Sequence, residues 1–366
     1  MNELMHAEIW DQPAALRQSL EPLRSQAASA ARYLKLARRI IITGCGDSYF
    51  AALALQRAYQ LYLSVPVHAL PAMEASQYLD FHNGDVLIAV SISGEVKRTL
   101  EAVGSARGGS ANVVAITAQR ESTLAKSSDA VLTLPVPSRS RKTPHTMDFV
   151  STLLALVTLL ESGANQTFTE LDSLADEVEL VISSLESKIV AFASAVAPAA
   201  QYFFLGAGPG WAVAQYCAAK FWEAGGLRGY AFELEEFAHG AQFLIAPGDA
   251  VIVIAPDNRS QPRAMEMWGG FEQLGARPLV VTGFLAGFPA ESTLVIPNMS
   301  PIAFPFVACL PGQLLTLSVA NVRGYDVVSK AGHVSDPALF EQVHRKWTGG
   351  SALRPIRNAT SEDYVR

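Results

Sequence analysis

The chain has 366 residues, half of them hydrophobic, and a formal net charge of −6. That length suits about two domains rather than one core, and with no Lys/Arg-rich block the chain is not expected to bind nucleic acid electrostatically. Cys45, Cys217 and Cys309 are widely spaced with no CxxC pair, which argues against a zinc site or disulfide framework and fits a reducing cytoplasm; no metal or cofactor is expected.

In chain order, the opening "MNELMHAEIWDQPAAL" is polar and acidic, unlike a secretory signal. "RIIITGCGDS" (Arg39–Ser48) is an apolar run ending in Gly-x-Gly, and "YFAALALQRAYQLYL" (Tyr49–Leu63) follows as an amphipathic helix. "DVLIAVSISGEVKRTLEAV" (Asp85–Val103) is a second apolar run, ending in serines before another helical pattern. "ANVVAITA" (Ala111–Ala118) and "LTLP" (Leu132–Pro135) complete four strands. Thr167–Val196 reads as a linking helix, with Thr169 placed to cap it and Asp172 three residues on.

The same four strands then recur in order, as "QYFFLGAGPG" (Gln201–Gly210), "DAVIVIAPDNR" (Asp249–Arg259), "ARPLVVTG" (Ala276–Gly283) and "LVIP" (Leu294–Pro297), each displaced by 162 to 165 residues. A constant offset in constant order indicates a duplicated domain. Continuous Val/Ile/Leu strands alternating with helices predict an α/β class: two duplicated, doubly wound parallel-sheet sandwiches with an inter-domain helix. The expected units are 1–166, a linking helix 167–196, 197–345 and a tail 346–366. Ser300–Val322 is apolar, but Pro301, Pro305, Pro311 and Gln313 make it a buried helix rather than a membrane span.

In such sheets ligands bind at the carboxyl ends of the strands. Two first-half loops lie there: "GCGDS", with Gly44, Gly46 and Ser48, and "SISGEV", with Ser91 and Ser93. Helix N-termini offer free N–H groups to an oxyanion, and hydroxyls add donors, so the pair suits a phosphate. An equally open reading makes Ser48 and Ser93 ordinary N-caps. "GAGPGWA" (Gly206–Ala212) matches the dinucleotide fingerprint, but the acidic residue near the required distance, Glu223, falls within a helical pattern, so nicotinamide binding is not expected. Lys220 and Glu223 share a helical face beside apolar Phe221 and Trp222, which favours a buried carboxylate able to hold and return a proton over a surface ion pair. His239 follows the acidic residues Glu233, Glu235 and Glu236, and reads equally as a proton-exchanging group or an acid-paired histidine.

These loops resemble those of the tandem SIS (sugar isomerase) domain family, and nearly the whole chain resembles the isomerase half of glucosamine-6-phosphate synthase and related phosphosugar deaminases and deglycases. "EIWDQPAAL" (Glu8–Leu16) looks like that half's leader, "GCGDS" like its CGTS loop and "SISGEV" like its S-x-S-G-x-T loop. "SSDAVLTLP" (Ser127–Pro135) resembles its S-D strand, "KFWEAGG" (Lys220–Gly226) its K-x-x-E helix and "EEFAHGAQFLI" (Glu235–Ile245) its E-x-x-H-G segment. The resemblance implies a sugar-phosphate site at Gly46, Asp47, Ser48, Ser91, Ile92, Ser93, Gly94 and Val96, with Thr143 and His145 in a sugar-contacting loop or, equally, a capped one. It implies catalytic roles for Glu223, which would shuttle a proton between C1 and C2, for Lys220, and for His239, which would help open the sugar ring in a homodimer with shared sites.

The chain also departs from that pattern. A glutaminase domain is not expected before the leader, and with it ammonia from glutamine is not expected within this chain. Asp47 replaces a threonine beside the phosphate, a repulsive placement that Lys97 or Arg98 is expected to offset. Val96 replaces a hydroxyl donor. In "SKAGHVSDP" (Ser329–Pro337), Lys330 and His333 stand near the place of the family's substrate lysine without matching it. The expected function is therefore an isomerase, deaminase or deglycase acting on an amino sugar or fructosamine 6-phosphate. The alternative is a module that senses a sugar phosphate without chemistry.

Overall fold

The structure is a computed structural model and describes residues 2–135, 139, 143–257, 259–283, 287–329 and 333–350. The first half runs α1 (Glu3–Trp10), α2 (Gln12–Lys35), β1 (Arg39–Gly44), α3 (Asp47–Tyr62), β2 (Val67–Pro71), α4 (Ala72–Gln77), β3 (Asp85–Val90), α5 (Lys97–Gly108), β4 (Asn112–Thr117), α6 (Thr123–Lys126), β5 (Ala130–Thr133) and α7 (Met147–Ala164). The long α8 (Glu170–Val196) leads into the second half. There follow β6 (Tyr202–Gly206), α9 (Pro209–Glu223), β7 (Gly229–Glu233), α10 (Leu234–Ala238), β8 (Ala250–Ile254), α11 (Gln261–Gln273), β9 (Arg277–Thr282), β10 (Thr293–Val295), α12 (Phe304–Ala308), α13 (Leu310–Arg323) and α14 (Pro337–Gly349).

Both sheets are five-stranded and wholly parallel, ordered β2-β1-β3-β4-β5 and β7-β6-β8-β9-β10. The orders are the same once the second is renumbered, so the duplication extends to topology. It extends to one turn as well. Gly46 precedes α3 at φ 56°, ψ −128°, and Gly208 precedes α9 at φ 54°, ψ −129°. Only glycine takes that backbone readily.

The central strands β3 and β8 are buried at every position, which is why they read as unbroken apolar runs. Two stretches, Met147–Ala164 and Phe304–Arg323, are apolar and long enough to cross a membrane; each is 89% buried inside the fold and serves as core. Thr169 stands at the N-cap of α8, but its side chain makes no capping bond, contrary to the sequence expectation. One continuous apolar core includes Met5 of α1, Leu153 and Leu160 of α7, Ile182 of α8, Tyr216 of α9 and Leu314 of α13.

The N-terminal leader ties the halves together. The Asn2 amide donates to Asn321 Oδ1 and Tyr325 O, both at 2.9 Å, and Asn2 Oδ1 accepts from Val327 N at 3.0 Å. Gln12 Nε2 donates to Gln313 Oε1 at 2.7 Å within the apolar interior.

Candidate functional site

At the end of β1 the chain must reverse into α3 within three residues. A Cβ on Gly44 would lie 2.6 Å from Ser48 Cβ, so glycine is required for the helix to begin that close to the strand. At the end of β3 the serine loop turns through Gly94 at φ 68°, where a Cβ would come within 2.1 Å of Ser122 Oγ. Ser91 Oγ accepts from Gly94 N at 3.1 Å and Ser93 Oγ accepts from Glu95 N at 3.2 Å. Each hydroxyl thus uses an acceptor lone pair to shape the loop, and its O–H remains a donor. Glu95 clamps the loop from outside by accepting from Thr123 N at 2.7 Å and Thr123 Oγ1 at 2.8 Å. Those bonds hold its carboxyl below the usual range.

The starts of α3 and α5 converge on one cavity of about 280 Å³. Its walls are Cys45, Gly46, Asp47 and Ser48 from the first loop, and Val90, Ser91, Ile92, Ser93 and Val96 from the second. His145, Asp148 and Glu223 close it. Neither Ser48 nor Ser93 is an N-cap; Gly46 and Val96 hold those positions. Two roomier surface grooves, about 680 and 690 Å³, lie around Arg24 and Arg120 without comparable convergent groups.

Asp47 is not offset by the residues expected. Lys97 donates to Gly350 O and Arg98 pairs with Glu101 at 2.6 Å. The partner is Lys220, which crosses from the second half to place Nζ 2.6 Å from Asp47 Oδ2 and 2.9 Å from Glu223 Oε2. The Lys220 side chain is fully buried, and its ammonium lies 5.0 Å from the centre of the Tyr216 ring. Burial alone would pull this ammonium down, but the two carboxylates outweigh it and hold Lys220 above the ordinary lysine value. Burial pushes Asp47 up, to about 6, against the pull of Lys220 and with the added repulsion of Glu223. Phe221 is buried as expected, whereas Trp222 is half exposed and donates from Nε1 to Gly229 O at 2.6 Å.

The loop before α7 is held by Glu8, whose fully buried carboxylate accepts from Thr143 Oγ1 and Met147 N, both at 3.1 Å. Thr143 is therefore a buried loop anchor rather than a cavity residue. His145 does reach the cavity; its backbone N–H points to Glu223 Oε2 at 3.4 Å, and its Nδ1 lies 3.2 Å from Asp148 Oδ2. A buried polar chain supports it: Gln313 Nε2 donates to Tyr216 OH at 3.0 Å, and Tyr216 OH donates to His145 O at 3.4 Å.

Gly94 shapes the serine loop rather than lining the cavity. His239 lies outside the cavity of its own chain, with its side chain 70% exposed and Nε2 3.2 Å from Glu235 Oε1. Lys330 and residues 351–366 of the tail fall outside the described residues; His333 packs against Gly226. The sequence reading missed Asp148, three residues beyond His145 in the first turn of α7, and the anchoring role of Glu8 within the leader. Among the described residues no cluster of three metal-ligating side chains occurs.

Residues 33–162 match the family model described as "SIS domain". The glutamine–fructose-6-phosphate aminotransferase (isomerizing) of Zymomonas mobilis is 26% identical over 348 residues, a match covering 88% of this chain and 56% of that protein. The chain thus spans about half the length of the curated relatives it matches. Among solved structures, the C-terminal domain of glucosamine-fructose-6-phosphate aminotransferase from Francisella tularensis superposes with a TM-score of 0.78 at 20% identity, covering 88% of this chain and 97% of that one. The tagatose-6-phosphate ketose/aldose isomerase of Escherichia coli superposes with a TM-score of 0.76 at 19% identity, covering 92% and 97%.

Proposed function

We propose that the chain, whose residues 33–162 match the SIS domain model and whose second half repeats the sheet order of the first, is a phosphosugar-binding enzyme of the isomerase type. Its substrate is an amino sugar or fructosamine 6-phosphate, and its chemistry is proton transfer between C1 and C2. The observation that carries this reading is the shared cavity: Ser48, Ser91 and Ser93 line one side, and Glu223 closes it from the other half of the chain. Hydroxyls and backbone amides at two helix starts suit a phosphate. A carboxylate facing the same space can take a proton from one carbon and return it to the next. Lys220 holds Glu223 in place through its 2.9 Å contact, and the His145 N–H approaches the same oxygen. The names of the relatives, an aminotransferase acting on fructose 6-phosphate and a ketose/aldose isomerase, agree with that chemistry.

The test is Glu223→Gln, assayed with fructose 6-phosphate, glucosamine 6-phosphate and fructosamine 6-phosphates. Binding is expected to persist, while exchange of the C1 or C2 hydrogen with solvent falls at least ~100-fold. Exchange at the wild-type rate would remove Glu223 from the mechanism. Binding of all these sugars with no turnover by the wild-type protein would favour the sensing module instead, the reading that Asp47 in the phosphate cavity and the exposed His239 support.

His239 enters this mechanism across a homodimer, where one protomer's imidazole serves its partner's cavity. Mixing Glu223→Gln and His239→Asn proteins tests that arrangement. Random dimers would regain about a quarter of wild-type activity, since half the dimers are mixed and each carries one intact site. Full activity of His239→Asn by itself would place His239 outside catalysis, and an inactive His239→Asn with no regain on mixing would place it in its own chain's site rather than its partner's.

A further inference from the structure

Asp47 has no role in the proton transfer just described, yet it stands where an incoming anion must lie. It is the first residue of α3, it shares the cavity wall with Ser48, Ser91 and Ser93, and 17% of its side chain stays exposed. Its Oδ2 is 2.6 Å from Lys220, and the same ammonium is 2.9 Å from Glu223. One buried positive charge therefore serves two carboxylates before any substrate arrives.

Among the described residues, several of the groups facing Asp47 are acidic or weakly acidic. From α9 come Lys220, Glu223 and the phenol of Tyr216, which is pushed well above its ordinary value by burial. From the loop before α7 comes His145, and α7 itself adds Asp148 to the cavity wall. From its own loop comes the Cys45 thiol, also raised by burial. On α5, Arg98 is engaged with Glu101, and Lys97 is turned to Gly350 O. A phosphate dianion in this cavity would add two negative charges to a wall that already carries the carboxylates of Asp47, Asp148 and Glu223. The cheapest relief is a proton on the carboxylate nearest the anion, because neutral Asp47 also changes from repelling the anion to donating a hydrogen bond.

We propose that Asp47 takes up a proton when a dianionic phosphosugar enters the serine-lined cavity, and that this transfers Lys220 from a shared contact to Glu223 alone. The step is a simple balance: one proton from solvent bonds to a carboxylate oxygen of Asp47, and no other bond forms or breaks. Asp47 is thus a positioning residue. It couples occupation of the phosphate site in the first half to the charge environment of the base in the second. Its ordinary value already raised to about 6 by burial puts such uptake within reach near neutral pH. The inference rests on the phosphosugar reading above.

The experiment is isothermal titration calorimetry at pH 7 in buffers of differing ionisation heat, using fructose 6-phosphate and, as a dianion with no proton of its own to lose, sulfate. The wild-type protein is expected to take up a sizeable fraction of one proton per sulfate bound, and its sulfate affinity to fall up to tenfold per pH unit between about 6 and 8. Asp47→Asn, checked for native circular dichroism, is expected to bind with no uptake and a flat pH profile; Asp47→Ser gives the same readout should the asparagine fail to fold. Binding without uptake by the wild type would overturn the inference and leave the phosphosugar reading standing. Uptake that survives in Asp47→Asn and vanishes in His145→Asn would assign the proton to His145 and overturn it as well. Absence of binding by either probe would overturn both.

Discussion

The buried Lys220 ammonium contacts one carboxylate from each half of the chain. The K-x-x-E spacing places it with Glu223 on one helix, but its shorter contact, 2.6 Å to Asp47, spans 173 residues of chain. Removing one member of a buried pair strands the charge on the other, at a typical cost of 3–5 kcal/mol. Lys220→Met should therefore lower unfolding stability by about 3 kcal/mol in urea denaturation at pH 7. A loss below ~1 kcal/mol would mean that the two carboxylates are solvated by other means. Asp47 adds a pH signature. Its folded-state value, about 6, sits above the ordinary 3.8, so its contribution is full below about pH 4 and is lost as pH rises through 6. Wild-type stability should consequently fall relative to Asp47→Asn across that window, by on the order of 2–3 kcal/mol. Parallel stability curves for the two proteins would show that Asp47 ionises as freely in the folded state as in the unfolded one.

The elements read most clearly from sequence are those buried on both faces. Strands β1, β3, β4, β6, β8 and β9 are continuous apolar runs because helices cover both sides of the sheet. Two strands escaped the reading, and both lie at sheet edges. In β2, "VHALP", burial alternates and the strand ends in proline; in β7, "GYAFE", only Gly229 is fully buried. The serine loops and the K-x-x-E helix were legible, because glycine placement and i,i+3 spacing are local. What stayed hidden depended on which distant elements meet: Thr143 turned inward to Glu8, His239 turned outward, and Lys220 reached Asp47. The leader helix illustrates the point. Glu8 of α1 holds the segment that carries His145, through two 3.1 Å hydrogen bonds. Glu8→Ala should leave buried donors unpaired and lower stability by about 2–3 kcal/mol. It should also weaken phosphosugar binding, because His145 loses its anchor, with Glu8→Gln milder in both respects. Unchanged affinity in Glu8→Ala would show that the loop is positioned by α7 alone.

The two sandwiches look separable on paper, since each has its own sheet and the offset between them is constant. Their packing says otherwise. The main core continues from Met5 and Leu153 through Ile182 to Tyr216 and Leu314, so the two halves share one apolar interior. Asn2 and Gln12, at the start of the chain, bond to residues beyond position 312, and Lys220 crosses to Asp47 at the site itself. Cutting the chain after α8 would expose apolar faces of α3, α7 and α8 that the second half now covers, at roughly 25 cal/mol for each Å² returned to water. The halves should therefore melt together despite a length at which separate domain transitions are common. Differential scanning calorimetry is expected to show one endotherm whose enthalpy approaches about 250 kcal/mol near 60 °C, and a fragment of residues 1–196 is expected to lack a cooperative transition. Two resolved endotherms, or a fragment that melts sharply by itself, would mean that the shared core contributes little. The cavity would then have to be viewed as an interface assembled between independent domains.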